Sequence, residues 1–262
     1  MAANKKQTIE FTAKNVKALT GWLKRFSLID KTLLLEIDQA ASTFIAKTYN
    51  EERSVVKMSS IKFDEAGLTA KVSADPKRVK VGIYNISHLT KIMDQFNDVE
   101  FSIVVEYQEL VNEEITQYAA EKLLLKNKSL KMSVDCTSLN IFKYIPDDLF
   151  KTQIATIDAV GKFELTKANI EKINTLNNLD DADEKCMVFT MGEKKTVVSG
   201  KTYELVIEEN SVKDISSLSI FKDQYSAIDI ENYDVDLGED RLVFKSKDSD
   251  TTTVISKAED KD

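Results

Sequence analysis

The sequence predicts a duplicated α+β fold, and three observations predict it. Most of the chain alternates apolar and polar residues, or runs β-branched, over short stretches, as antiparallel strands do. Three other stretches repeat apolar residues at helical spacing. The order strand, helix, several strands, helix, several strands over 5–135 then recurs over 158–257. That weak internal repeat, of roughly 100 residues, is far longer than a solenoid unit. Only two prolines and seven glycines interrupt the chain, which suits long elements joined by polar turns.

The first helix is predicted over Thr12–Phe26. Val16, Leu19, Leu23 and Phe26 fall on one side, while Lys14, Lys17, Gly21, Lys24 and Arg25 fall within an opposite arc of roughly 100°. Thr43–Tyr49 and Arg53–Ser59 read as strands. The second helix, Ile86–Phe96, places Leu89, Ile92, Met93 and Phe96 opposite His88, Lys91 and Gln95, with Ser87 as its expected N-cap. Glu100–Tyr107, Lys122–Asn127 and Ser129–Asp135 are further strands; Asn127-Lys128 is a hairpin turn. Tyr107–Ala120, acidic through Glu109, Glu113 and Glu114, reads as a long loop.

Asn140–Ala159 reads as an extended connector carrying Phe142, Tyr144, Ile145, Leu149 and Phe150, either sticky or pinned to the core. It separates a first domain, 1–139, from a second, 160–262. The third helix, Thr166–Leu179 with Thr166 as N-cap, sets Ile170, Ile173 and Leu176 inward and Lys167, Glu171, Asn174 and Asn178 outward. Strands follow at Met187–Met191, Lys195–Ser199, Thr202–Glu208, Arg241–Ser246 and Thr251–Ser256, with a turn at Gly200-Lys201. Asn210–Tyr225 reads as helix or loop, and Ile230–Val235 as a short helix.

Composition narrows the function. A hydrophobic fraction of 42% supports a real core. No apolar run approaches the roughly 20 residues of a membrane span, and Met1–Lys6 lacks a signal-peptide core, so an intracellular chain is expected. One histidine and two distant cysteines, Cys136 and Cys186, predict neither a metal cluster nor a disulfide framework. No phosphate-binding glycine loop or nucleophile elbow appears. Asp147-Asp148 and Asp180-Asp181-Ala182-Asp183-Glu184 read as solvated turns. No enzyme, metal or cofactor is expected. The chain carries net charge −8, yet Phe11–Ile29 holds four cations before its first acid. An acidic protein that gathers cations on one helix face either presents them to a polyanion or carries them as the solvated side of an amphipathic helix.

The residues also resemble a known family. Val79–Phe96 (VKVGIYNISHLTKIMDQF), Lys128–Cys136 (KSLKMSVDC) and the ending Tyr225–Ser256 are similar to segments of the replication sliding clamps, of the proliferating-cell-nuclear-antigen type and the T-even-like phage type. The resemblance implies a DNA-clamp fold: two tandem domains, each with two helices packed on antiparallel sheets, closing as a homotrimeric ring around duplex DNA. It implies a DNA polymerase and a clamp loader as partners, no membrane, and no cofactor. The host cytoplasm follows for a phage protein and the nucleus for a eukaryotic one. By position, Lys14, Lys17, Lys24, Arg25, Lys91 and Lys167 would face DNA. Phe142, Tyr144, Ile145, Leu149, Phe150, Val254 and Ile255 would bind partner peptides. Ser129–Asp135 and Thr202–Glu208 would join subunits by sheet extension. The alternatives are a monomeric viral processivity factor and a virion or other structural protein with no DNA role.

Overall fold

The computed structural model describes residues 7–71, 75–96, 99–112, 115–142, 145–181, 183–209 and 215–259. The chain divides into two compact units, one of 1–48 with 59–144 and one of 49–58 with 145–262.

The first unit runs β1 (Gln7–Ala13), α1 (Lys17–Lys24), β2 (Leu33–Asp38), β3 (Thr43–Tyr49), β4 (Val55–Lys62, divided between the units), β5 (Leu68–Ala70), β6 (Arg78–Ile83), α2 (Ile86–Asp94), β7 (Phe101–Asn112), β8 (Ile115–Lys126) and β9 (Lys131–Asp135). Its strands lie in the order β3-β2-β6-β8-β7-β1-β5, with β9 added to β8. Every neighbouring pair is antiparallel except β6–β8, which is parallel through Val79↔Tyr118 and Lys80↔Ala119. Alternation drives the packing: Ile9, Phe11 and Ala13 of β1 face a core shared with Leu33, Leu35, Ile37, Val79 and Val81. Phe11, Phe44 and Phe63 meet there with ring centroids 4.8–5.6 Å apart.

Three expectations fail in this unit. Helix α1 begins at Lys17, not Thr12. Phe11 and Ala13 alternate with Thr12 and pair with Ile103 and Phe101, so the sheet claims them. The N-cap of α2 is Asn85, whose side chain accepts from the His88 N–H at 2.9 Å; Ser87 already lies inside the helix. Tyr107–Ala120 is no loop: β7 and β8 stay paired from Gln108↔Ala119 to Val111↔Thr116. Among the described residues β1 pairs with β7 only as far as Gln7↔Tyr107. Residues 113 and 114 lie outside the described residues.

Between 139 and 154 the chain makes a 3₁₀ turn at Leu139–Ile141, then α3 (Asp147–Leu149) running into a π turn at Phe150–Ile154. The second unit continues with β10 (Gly161–Leu165), α4 (Lys167–Leu179), β11 (Cys186–Met191), β12 (Lys195–Ser199), β13 (Glu204–Glu209), β14 (Ser216–Phe221), α5 (Lys222–Tyr225), β15 (Tyr233–Leu237), β16 (Arg241–Ser246) and β17 (Asp250–Ser256). They form one sheet, β13-β12-β11-β14, and a run β10-β15-β16-β17. Phe163, Phe189, Tyr225 and Phe244 fill the core.

Ile230–Val235 is not a helix. Tyr233, Val235 and Leu237 alternate with Asp234 and Asp236, and β15 pairs on both sides, with β10 and β16. Asn210–Tyr225 contains β14 and α5; residues 210–214 lie outside the described residues. The acidic turn is not simply solvated either. Asp180 is buried and accepts from the Lys201 and Thr202 N–H groups (2.9 and 2.8 Å), the Thr202 hydroxyl (2.6 Å) and the Lys222 ammonium (2.8 Å). One carboxylate ties the end of α4 to the β12–β13 turn and to α5. Lys57 is another buried charge: with no exposed surface, it meets Asp229 at 2.7 Å and donates to the Ala227 carbonyl at 3.0 Å.

Among the described residues no helix is long and apolar enough to cross a membrane.

Candidate nucleic-acid interface

In the first unit two helices cover one side of the sheet. The approach to α1 is set by its turn. The Asn15 side chain accepts from the Lys17 N–H (2.8 Å), and Gly67 (φ +77°) lies against the Asn15 carbonyl, where a Cβ would come within 2.0 Å of the oxygen. Leu19, Trp22, Leu23 and Phe26 are buried, and the Trp22 indole donates to the Ser59 hydroxyl at 2.9 Å. In α2 the buried residues are Ile86, Leu89, Thr90, Ile92 and Met93.

The two helices repeat one pattern seventy residues apart: Asn15, Val16, Leu19, Thr20 and Phe26 recur as Asn85, Ile86, Leu89, Thr90 and Phe96. Thr20 and Thr90 are both buried, and their hydroxyls donate to the Lys17 and Ser87 carbonyls. This repeat within the unit was legible in the sequence as asparagine and Leu-Thr at fixed offsets, but the longer duplication masked it.

The remaining face is solvent. Lys17, Lys24 and Lys91 are exposed on it, and Arg25 is half-buried at its end. Lys14 is exposed too, but in the turn before α1 and not on the helix. Lys24 forms an ion pair with Asp94 of α2 at 3.3 Å. Among the described residues Lys14, Lys17 and Lys91 form none.

The second unit presents α4, capped by the Thr166 hydroxyl accepting from the Asn169 N–H at 3.2 Å. Lys167, Glu171 and Lys172 are exposed. Lys167 pairs with Asp248 at 3.1 Å. The Asn232 N–H fixes that carboxylate at 2.8 Å; with the Lys167 ammonium it holds the Asp248 carboxyl below the usual carboxylate range. Asp94 and Asp248 were not anticipated; their approach to lysines is tertiary, although the seventy-residue repeat sets Asp94 at the position of Lys24 itself.

The predicted partner residues separate. Phe142 is half-buried against Gly82, where a Cβ would come within 2.7 Å of its ring. Tyr144 lies outside the described residues. Ile145 packs on a cluster of Phe150, Ala155, Val243 and Val254. Leu149 is half-buried. Phe150, Val254 and Ile255 are 2%, 3% and 0% exposed, so they are core and offer little surface; the apolar stripes of the π turn and of β17 are spent inside the unit. A cavity of about 220 Å³ opens beside them, lined by Met58, Phe150, Lys151, Ala155, Lys245 and Thr252.

Among the described residues β5 pairs only with β1 and β10 only with β15, and the two strands expected to join subunits are also edges. Among the described residues β9 pairs only with β8 and β13 only with β12, whereas the outer edge of β14 is taken by the Ala258 N–H donating to Ser219 at 2.8 Å. One side chain reaches β13 and one leaves it: Asn169 Nδ2 donates to the Ile207 carbonyl, and the Glu208 carboxylate accepts from the Glu164 N–H of β10. Along β9 the charge runs from Lys131 to Asp135, with Lys128 before the strand; β13 is acidic at both ends, through Glu204 and through Glu208 and Glu209, with Lys201 before it.

Among the described residues no group of three His, Cys, Asp or Glu side chains could hold a metal ion. Burial pushes the Cys136 thiol up to about 12, as the neighbouring Asp135 carboxylate also does to a smaller extent.

No protein-family model matches the sequence, and no curated protein does. Solved structures do match. The PCNA of A. fulgidus, bound to the C-terminal region of FEN-1, shares 10% identity over 95% of this chain and 97% of its own, with TM-score 0.62. The PCNA of Entamoeba histolytica shares 11% over 95% and 98%, with TM-score 0.63. The beta clamp of Helicobacter pylori, bound to a DNA ligase peptide, shares 11% over 99% of this chain and 67% of its own, with TM-score 0.64. With so little shared sequence, the likeness resides in the path of the backbone, and that path is the sliding-clamp fold.

Proposed function

We propose that this chain is a DNA sliding clamp, a non-enzymatic protein that encircles duplex DNA and tethers a DNA polymerase to it. The observation that carries the reading is the solvent face of α1 and α2: on a clamp fold, in a chain of net charge −8, it bears Lys17, Lys24 and Lys91, with Lys14 beside it. Such a face attracts phosphates without reading bases, which leaves the contacts free to slip along the duplex. A net negative charge over the rest of the molecule disfavours DNA elsewhere.

Ring closure needs a head-to-tail contact between copies. The edges of β9 and β13 support one. Either direction sets Lys131 of β9 against a glutamate of β13 and Asp135 against another, so the strand charges do not choose the direction, and the support is the backbone left open along the two edges. Partner proteins, a polymerase and a loader among them, would dock a peptide beside Ile145 and Leu149, over the cavity next to Phe150. The two relatives bound to FEN-1 and DNA ligase segments support a peptide-binding surface here.

Solution mass across a dilution series, followed by polymerase extension on primed circular DNA, tests the reading. A species of three times 29.6 kDa that lengthens extension products is expected. A monomer at every concentration overturns the ring, and extension products of unchanged length overturn the tether.

A further inference from the structure

We propose that Asp94 and Asp248 are built-in attenuators of DNA affinity, each holding one helix lysine partly away from phosphate. The inference rests on the clamp reading and adds to it the residues that set how weak the contact is.

The geometry recurs in both units. Lys24 leaves α1 and meets Asp94 on α2 at 3.3 Å; Lys167 leaves the first turn of α4 and meets Asp248, in the turn after β16, at 3.1 Å. In each pair the lysine is about half exposed, at 53% and 51%, and the aspartate less so, at 34% and 30%. A phosphate can thus reach either ammonium, but only in competition with a carboxylate already beside it. Asp248 is held in place by Asn232, whose N–H and side-chain amide both donate to it, so its carboxylate does not simply swing aside. Asp94 stands where the seventy-residue repeat places Lys24, so α2 carries an anion where α1 carries a cation. Lys14, Lys17 and Lys91 form no such pair among the described residues, so the surface mixes open and attenuated cations.

An exposed ion pair adds little to folding, because solvent screens it and two side chains must be ordered. Its effect on a polyanion is larger in kind. The counterions released on binding are the cations condensed on the DNA, and a lysine whose charge a carboxylate already offsets displaces fewer of them. A protein that must hold DNA topologically and still slide gains from contacts that are weak one by one.

The test is duplex binding by the full chain, followed by fluorescence anisotropy between 50 and 200 mM salt. Variants are Asp94→Asn, Asp248→Asn, Lys24→Ala, Lys167→Ala and the two pairwise combinations. Each Asp→Asn variant is expected to bind more tightly and to steepen the log–log salt slope by about 0.9 per lysine released, roughly a threefold greater fall in affinity across that range. In the matching Lys→Ala background the same Asp→Asn change should lose most of its effect, because the carboxylate acts through its lysine. Unchanged affinity and slope in both Asp→Asn variants, with Lys24→Ala weakening binding, overturns the attenuator and leaves the clamp reading standing. Insensitivity of binding to every lysine and aspartate variant overturns both.

Discussion

Replacing Lys14, Lys17 and Lys91 together with alanine tests the assignment of the DNA-facing surface at its strongest point. All three are exposed and, among the described residues, unpaired, so their removal breaks no ion pair and opens no cavity. If one copy of each per ring contacts a phosphate at a time, each contributes about 0.9 to the negative log–log salt slope, and the triple variant is shallower by about 2.7. From 50 to 200 mM salt, that difference makes the wild-type affinity fall roughly 40-fold further than the variant's. The assay is anisotropy on a labelled duplex, with solution mass and melting temperature measured alongside to show that assembly and folding survive. Lys24→Ala is the internal comparison. Because Asp94 already engages that ammonium, its effect on the slope should be smaller than that of Lys17→Ala. An unchanged slope in the triple variant, with the protein intact, refutes the assignment. Equal effects of Lys24→Ala and Lys17→Ala refute the argument that a paired cation contributes less.

Other perturbations reach the scaffold. Lys57→Met leaves Asp229 without its ammonium inside the second unit, and should cost about 3–5 kcal/mol in denaturant titration. Gly21→Ala fills open space on the solvent face of α1, where a Cβ meets nothing within 4 Å, and should raise stability by about 0.5–1 kcal/mol. Cys136, with its thiol pushed up to about 12, is a thiolate in only roughly one molecule in 10⁴ at pH 8, so a Cys186→Ser chain should label with thiol reagents over hours, not seconds. Asp180 is held below the usual carboxylate range by the Lys222 ammonium first, then by the Thr202 hydroxyl and the N–H groups of Lys201 and Thr202. A depressed folded-state value stabilises above the unfolded value of about 3.9 and is lost as pH falls through the lower one. The melting difference between wild type and Asp180→Asn should therefore be constant from pH 8 to about 5 and shrink below about 4.

Short strands rich in apolar and β-branched residues were legible in the sequence to the residue: Thr43–Tyr49, Lys195–Ser199 and Arg241–Ser246 stand as read. Helix faces were legible as well, because Leu89, Ile92 and Met93 obey helical spacing whatever they pack against. Boundaries were not, since Phe11 and Ala13 fit either period until β7 is placed beside them. The same ambiguity hid β15, whose aspartates look like a turn until its two neighbours supply hydrogen-bond partners. Of the candidate site, the exposed lysines could be read from one helix at a time. Their partners could not: Asp94 and Asp248 approach them only through the fold. Phe150, Val254 and Ile255 show the converse failure, because an apolar residue in a connector or a last strand does not announce whether it faces a partner or its own core.

The recurrence of Asn15, Val16, Leu19, Thr20 and Phe26 as Asn85, Ile86, Leu89, Thr90 and Phe96 carries a historical consequence. The matched positions are the asparagine ahead of each helix and residues pressed on the sheet; buried Trp22 and Leu23 become Ile92 and Met93 and stay apolar, whereas Lys17 against Ser87, Gly21 against Lys91 and Lys24 against Asp94 change in charge or polarity. A module copied within an ancestral half-domain would leave such a record, with identity lost freely where water is the only neighbour and apolar character kept where a shared sheet judges it. Compared with α1, α2 shows how far the solvent side can change while the packed side remains apolar.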